Sequence, residues 1–175
     1  MLVWGFEWGK VQSKIVILLI CDVQSGFLTV CRKQKRTIRR NMALKFNESL
    51  DTNTVLRLML DDVPEQRAKV IELLCRPDTT YHIADLAITE AVYALQKYGK
   101  TRSEIVQYLE ELMERMNIMV NHTLFERVFP IYLAYPELSF NDCCLAGYAA
   151  LNQAEPLWTF DKALAKESGT AKLVA

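Results

Sequence analysis

The sequence predicts a three-layer α/β/α domain with a mostly parallel central sheet over residues 42–175. Short apolar runs typical of strands alternate with amphipathic stretches of ten or more residues that are typical of helices. Strands separated by helices of that length are usually joined as parallel βαβ units. Because ligands bind beyond the carboxyl ends of the strands in such sheets, the residue that follows each strand is the first candidate for a functional site.

Strands are predicted where apolar residues alternate with polar ones or form a short run bounded by turn residues. Residues 44–50 show the alternation, with Glu48 as an unusually polar member. The other predicted strands cover residues 81–84, 118–120 and 157–160.

Helices are predicted between these strands from apolar residues spaced by three and four positions. Pro64 suits a first helical turn, T-R-S-E from Thr101 forms a capping box, and Gly99 ends the clearest helix. Pro130 predicts a kink or an interruption in the helix that contains it. The predicted helices cover residues 52–60, 64–75, 86–98, 101–115, 123–135, 141–152 and 162–166.

Residues 1–41 differ in charge from the rest of the chain. They contain eight Lys or Arg and two acidic residues, so 8 − 2 = +6, and the neutral total leaves −6 for residues 42–175. We expect a boundary near residue 41, with a basic N-terminal extension outside the native domain and Met42 as the favoured start. Two other interpretations are open: the basic cluster at residues 32–40 is an arm that binds phosphates, or residues 15–21 add a strand to the sheet.

Several classes of protein are disfavoured by the sequence. The apolar run at residues 15–21 is too short to span a membrane, and no cleavage pattern of a signal peptide follows it. The five cysteines have no spacing typical of a zinc site, and their odd number favours a cytoplasmic protein. The six glycines form no phosphate-binding loop.

Four acidic residues are the candidates for chemistry. Asp51 and Asp161 each follow a predicted strand, although either one alone is also an ordinary helix N-cap. Asp142 is the only charged residue between Leu138 and Ala154, and we expect it to be at least partly buried, with placement near the positive end of a helix as the alternative. Glu90 lies among small residues in the middle of a helix, where a functional and a surface role are equally favoured.

Four carboxylates gathered in one pocket would repel each other and raise each other's pKa. Bound divalent cations relieve that repulsion, and oxygen ligands without nearby His or Cys favour Mg²⁺ or Mn²⁺. Such ions activate water and stabilise the charge that develops during attack on a phosphodiester. If the four residues converge, the expected chemistry is therefore hydrolysis of a nucleic-acid backbone.

Four segments in order resemble the PIN-domain family, and within it the VapC-type toxin ribonucleases. The resemblance covers about residues 44–174 and depends on the ordered set, because no single segment is specific. The first strand is more polar than is usual in the family, and the basic extension is not typical of it. The segments are L-D-T-N-T-V-L-R-L at residues 50–58, T-E-A-V-Y-A-L at 89–95, F-N-D-C-C-L-A-G-Y-A-A at 140–150 and L-W-T-F-D-K-A-L at 157–164.

The resemblance implies an endoribonuclease that uses Mg²⁺ or Mn²⁺ and acts as the toxin of a toxin–antitoxin pair. It implies an RNA substrate, a cognate antitoxin protein that blocks the active site, and a homodimer. Two alternatives stay open: a DNA- or structure-specific nuclease of the same fold, and a catalytically silent module that binds RNA or a partner. By position, the metal-binding and catalytic residues would be Asp51, Glu90, Asp142 and Asp161, with Asn53 and Thr159 in supporting roles.

Overall fold

A computed structural model of the protein describes residues 46–174, in which the predicted helices and strands follow in the predicted order and one further strand, at Ala171–Leu173, was not predicted. The predictions for residues 1–41, including the strand at 15–21 and the basic cluster, lie outside the described residues. The strands are β1 (Phe46–Leu50), β2 (Thr79–Ile83), β3 (Ile118–Met119), β4 (Leu157–Thr159) and β5 (Ala171–Leu173). The helices are α1 (Thr52–Met59), α2 (Pro64–Leu74), α3 (Asp85–Lys97), α4 (Arg102–Met113), α5 (His122–Ala134), α6 (Phe140–Leu151) and α7 (Lys162–Glu167).

The strands pair in parallel, as predicted for βαβ units, and the predicted fold class is confirmed. Their backbone hydrogen bonds fall into two sets within residues 46–174: a sheet of order β1-β2-β3 and a pair β4-β5. β1 lies at one edge of the three-stranded sheet, where Glu48 is exposed and forms an ion pair with Arg76 at 3.6 Å. This edge position accounts for the polar character of the first strand.

The apolar core lies mainly between the sheet and helices α3 to α6. Tyr81 from β2 and Tyr132 from α5 are its largest fully buried side chains. The rings of Tyr132 and Phe140 of α6 meet edge to face, with 5.1 Å between their centroids. Phe140 also stacks on Phe125 of α5, with 6.2 Å between the ring centroids. Aromatic pairs of this kind fix the start of α6 against α5.

A glycine allows α5 and α6 to pack closely. A β-carbon at Gly147 would lie 3.1 Å from Leu124 Cδ1 and 3.1 Å from Val128 Cγ2. Both distances are shorter than ordinary carbon–carbon contacts. The absence of a side chain at residue 147 therefore sets the separation of the two helices.

Of the kink or interruption predicted at Pro130, the interruption is wrong, because α5 continues from His122 to Ala134. Proline removes one backbone donor, so the carbonyl of Glu126, four residues earlier, loses its helical partner. Both Glu126 and Pro130 are on the exposed side of the helix, where water can replace the missing donor.

The helix ends follow the predicted signals. Thr101 and Glu104 form the capping box at the start of α4, and Gly99 ends the preceding segment with a φ of +75°. Among residues 46–174, no helix is both long enough and apolar enough to cross a membrane.

Candidate active site

Asp51 and Glu90 lie on neighbouring elements: Asp51 caps α1, and α1 packs against α3, which carries Glu90. Asp51 follows β1 and caps α1, where its Oδ1 accepts a hydrogen bond from the backbone N–H of Thr54 at 2.8 Å. Side-chain and backbone hydrogen bonds from Thr54 lower the pKa of the Asp51 carboxyl below its usual value. The next residue, Thr52, donates from Oγ1 to Glu90 Oε2 at 2.6 Å. The structure thus brings the start of α1 against the middle of α3.

Asp142 lies in the first turn of α6 and is partly buried, as predicted. Its Oδ2 accepts hydrogen bonds from the backbone N–H of Ser139 at 2.9 Å and from Ser139 Oγ at 2.6 Å. In return, the backbone N–H of Asp142 donates to Ser139 Oγ at 3.1 Å. The two residues form a capping box that fixes the orientation of the carboxylate.

Asp161 follows β4 and caps α7. Its Oδ1 accepts hydrogen bonds from the backbone N–H groups of Ala163 at 2.7 Å and Leu164 at 3.0 Å. Thr159, the predicted supporting residue on β4, accepts a hydrogen bond at Oγ1 from the backbone N–H of Asp161 at 3.0 Å. Asn53, the other predicted supporting residue, is exposed, and its side chain has no hydrogen-bond partner within residues 46–174.

The elements that carry the four acids pack in series. Helix α1 packs on α3, α3 packs on α6, and α6 packs on β4. Only Glu90 and the neighbour of Asp51 are joined by a hydrogen bond, and Asp142 and Asp161 have no such link to the other acids in the described part of the chain. Within residues 46–174, no three His, Cys, Asp or Glu side chains lie close enough together to hold one metal ion.

The donor set nevertheless fits a hard divalent cation in type. Three of the acids use one oxygen for a local hydrogen bond: Oε2 of Glu90, Oδ2 of Asp142 and Oδ1 of Asp161. The second oxygen of each accepts no hydrogen bond from residues 46–174. Each carboxylate is therefore held by one oxygen and has the other available for a ligand.

A second polar cluster was missed in the prediction. Asp85 Oδ2 accepts hydrogen bonds from Asn121 Nδ2 at 2.9 Å and from the hydroxyl of Tyr148. The carboxylate of Asp85, with burial, raises the pKa of Tyr148 to about 12. Asp85 and Asn121 lie just beyond β2 and β3. The same rule that selected the residues after β1 and β4 would have selected them too.

Arg102, at the start of α4, holds the segment that leads into α6. Its guanidinium lies 4.2 Å from the centre of the Tyr132 ring. The same group donates to four backbone carbonyls at the end of α5 and in the following loop. These are the carbonyls of Tyr132 at 2.6 Å, Tyr135 at 3.2 Å, Pro136 at 2.7 Å and Leu138 at 2.7 Å. Arg102 thereby positions Ser139 and, through its capping box, Asp142.

The two cysteines beside Asp142 do not supply a nucleophile. Cys143 and Cys144 are buried free thiols in the first turns of α6. Burial raises the pKa of Cys143 to about 11 and that of Cys144 to about 12. Because the thiolate is the reactive form, both residues act as apolar core side chains at neutral pH.

Comparison with known proteins identifies the fold. The family model for the PIN domain matches residues 49–168, which is more than half of the chain and includes all four acids, Asn53 and Thr159. No curated protein sequence matches the chain. PIN domains have a nuclease-type fold and are generally metal-dependent nucleases. The chain therefore belongs to the PIN-domain family.

Proposed function

We propose that the protein is an endoribonuclease that uses Mg²⁺ or Mn²⁺ and is the toxin of a toxin–antitoxin pair. One observation carries the nuclease proposal: Asp51, Glu90, Asp142 and Asp161 all lie within the matched PIN region, on elements that pack in series. Local hydrogen bonds orient each of them. Fixed carboxylates with an available oxygen are suited to binding a divalent cation.

The residues of the chain itself would supply binding and orientation. Asp51, Glu90, Asp142 and Asp161 would hold the ion, which when bound polarises the phosphodiester and activates water. Ser139 fixes the carboxylate of Asp142, and Thr52 fixes that of Glu90. Orientation before substrate binding reduces the reorganisation needed in the transition state.

The first test measures cleavage of a single-stranded RNA by the full chain with Mg²⁺ or Mn²⁺ and with EDTA. Chelation should abolish cleavage, and Asp142→Asn and Asp161→Asn should each lower the rate by about 10²-fold or more, as removal of an electrostatic group in an active site does. Because Asn is as good an N-cap as Asp, loss of the cap should contribute little to the effect of Asp161→Asn, and Asn at position 142 keeps a side-chain oxygen that can accept the hydrogen bonds from Ser139.

Asp61→Asn is the matched control, since Asp61 is an exposed acid outside the candidate site. This variant should cleave RNA at the rate of the unaltered chain. Cleavage that persists in EDTA and in both site variants would contradict the metal-dependent mechanism.

The choice of RNA over DNA is the finer part of the proposal and rests on the resemblance to VapC-type toxins. The acids would serve equally well on either backbone. Matched RNA and DNA strands of the same sequence should therefore be compared in one assay. Selective cleavage of the DNA strand would replace the RNA proposal with the alternative of a DNA-specific PIN nuclease.

The toxin role adds an antitoxin, a homodimer and a cytoplasmic location to the proposal. A small DNA-binding protein encoded beside this one should form a stable complex with the chain and suppress its RNA cleavage. Light scattering on the purified chain tests the dimer directly. A neighbouring protein that binds without affecting cleavage would argue against the toxin role.

A catalytically silent RNA-binding module is the second candidate function. One observation favours it: no three potential ligands are grouped within residues 46–174. Asp51, Asp142 and Asp161 also have structural roles as helix-capping residues. This candidate predicts RNA binding without cleavage in the presence of either metal ion.

A further inference from the structure

We propose that the exposed face of β4 and β5 is a platform on which unpaired RNA bases stack, formed by Trp158, Phe160 and Lys172. The inference rests on the proposed ribonuclease function and extends it by naming the form of RNA that is bound. The substrate at this face would be single-stranded, with its bases turned outward.

Two large aromatic side chains are exposed next to a candidate catalytic acid. Trp158 is 62% exposed and Phe160 is 81% exposed, the highest value among the large apolar residues described. Leu157 and Thr159 are less exposed, so Trp158 between them lies on the solvent side of β4, and Phe160 is exposed in the bend that follows the strand. Two large aromatic side chains exposed this close together in the chain provide apolar surface that a ligand can cover.

A positive charge lies beside the aromatic pair. In the parallel pairing of β4 and β5, Trp158 is in register with Lys172, which is exposed. Pairing continues past the strand ends, because the backbone N–H of Val174 donates to the carbonyl of Thr159 at 2.9 Å. Residues in register on the same face of a sheet have neighbouring side chains. Lys172 is therefore placed to contact the phosphate of a nucleotide whose base stacks on Trp158.

The chain geometry relates this face to the candidate site. Phe160 immediately precedes Asp161, whose backbone N–H is held by Thr159. Trp158 lies on β4 and Phe160 lies in the bend that follows it, so each ring can take a separate base. A base on Phe160 would bring its own phosphate toward the Asp161 carboxylate.

The chemistry of the face favours single strands over duplexes. Aromatic rings bind bases through their π-faces, which are accessible in an unpaired strand and covered in a duplex. Stacking is tolerant of sequence, while a lysine contributes attraction to phosphate without reading the base. The platform would thus select unpaired RNA with little preference among bases.

The test measures binding of the full chain in EDTA, by fluorescence anisotropy, to a labelled oligouridine and to an abasic ribose-phosphate chain of the same length. Combining Trp158→Ala with Phe160→Ala should weaken oligouridine binding at least about tenfold. Binding to the abasic chain should be unchanged, because its charge is the same and it has no base to stack.

Conservative variants separate stacking from general apolar contact. Phe160→Tyr should retain oligouridine binding, whereas Phe160→Leu should lose it despite its apolar side chain. Tyr98→Ala is the matched control, since Tyr98 is an aromatic residue 57% exposed at the far end of α3 from Asp85. That variant should bind oligouridine as the unaltered chain does.

Three results would overturn the platform. The first is normal oligouridine binding by the double variant, and the second is an equal loss of binding to the abasic chain. The third is loss of self-association or antitoxin binding with RNA affinity intact, which would make the face a protein interface. If the unaltered chain cleaves RNA, any of these results contradicts the stacking platform and leaves the proposed ribonuclease function in place. If the unaltered chain does not bind RNA, the proposed function is contradicted as well.

Discussion

A carboxylate has two oxygens, so a helix-capping acid in this domain can use one for the cap and keep the other for the proposed ligand role. Asp142 closes a capping box with one oxygen, and Asp161 caps α7 in the same way. The ordinary interpretation of these residues as helix caps and the functional one as ligands are therefore compatible. Capping reduces side-chain freedom, and a ligand that is already oriented loses less entropy when a cation binds.

The hydrogen bond between Tyr148 and Asp85 can be tested by titrating the Tyr148 hydroxyl. Its hydrogen bond to the carboxylate of Asp85 is the largest cause that raises its pKa to about 12 from 10.0. Asp85→Asn should lower the midpoint of phenolate formation toward 10, measured by ultraviolet absorbance against Tyr148→Phe as the blank. Asp61→Asn should leave this midpoint unchanged.

The raised pKa of Tyr148 makes the free energy of unfolding depend on pH. The folded chain holds the Tyr148 proton more tightly than the unfolded chain does. This contribution to the free energy of unfolding is complete below pH 10 and is lost as the pH rises toward about 12. A Tyr148→Phe variant whose stability falls over that interval as steeply as that of the unaltered chain would contradict the assignment.

At the level of helices and strands, most of the fold could be predicted because the determinants are local. The apolar spacing of α3 and the capping box at Thr101 are signals within a few residues, and both predictions are confirmed. Pro130 does not interrupt α5, because water at the exposed face of the helix can replace the missing hydrogen-bond donor. Arg102 could not be predicted, since its carbonyl partners lie 30 to 36 residues away.

Arg102 predicts a stability effect at this scale. Arg102→Ala should lower the free energy of unfolding by about 3 kcal/mol, because hydrogen bonds to charged groups are strong and four carbonyls lose their donor. Arg102→Lys should recover only part of the loss, since an ammonium cannot reproduce the planar fork of the guanidinium. Chemical denaturation measures both variants.

Arg127→Lys is the control for this comparison, because Arg127 is exposed on α5. A surface change of this kind should alter the free energy of unfolding by less than about 0.5 kcal/mol. Equal stability of the Arg102 and Arg127 lysine variants would show that the carbonyl contacts contribute little.

For the molecule as a whole, the order of the four acids could be read from the sequence, but their spatial arrangement could not. Convergence depends on how α1, α3, α6 and β4 pack, and that packing is set by contacts distant in the chain. Local pattern identifies which carboxylates lie at helix starts, such as Asp51 and Asp161, without fixing the distances between them. The gathering of these acids around an ion remains a prediction.

The uneven distribution of charge gives a test on the whole chain. Residues 42–175 carry a net charge of 13 − 19 = −6, which repels an RNA backbone, whereas residues 1–41 carry +6. On the interpretation that the cluster at residues 32–40 is an arm that binds phosphates, replacing its six Lys and Arg with Gln should weaken RNA binding and reduce its dependence on salt. The logarithmic salt slope should fall by up to about four, since each neutralised phosphate of a single strand contributes about 0.7.

Lys69→Gln serves as the control in this experiment, because Lys69 is an exposed lysine on α2. It should change the salt slope by less than one. An unchanged slope after replacement of the cluster would mean that residues 32–40 do not contact RNA.

The missing side chain at Gly147 links helix spacing to the position of Asp142. The two residues lie on one rigid rod, five positions and about 7.5 Å apart along its axis. A methyl group at residue 147 would crowd the side-chain methyl groups of Leu124 and Val128, and either these side chains would move by a few tenths of an ångström or α6 would shift outward. Where α6 shifts, the carboxylate of Asp142 moves with it, so the geometry of the proposed site depends on packing in the core as well as on the acidic residues.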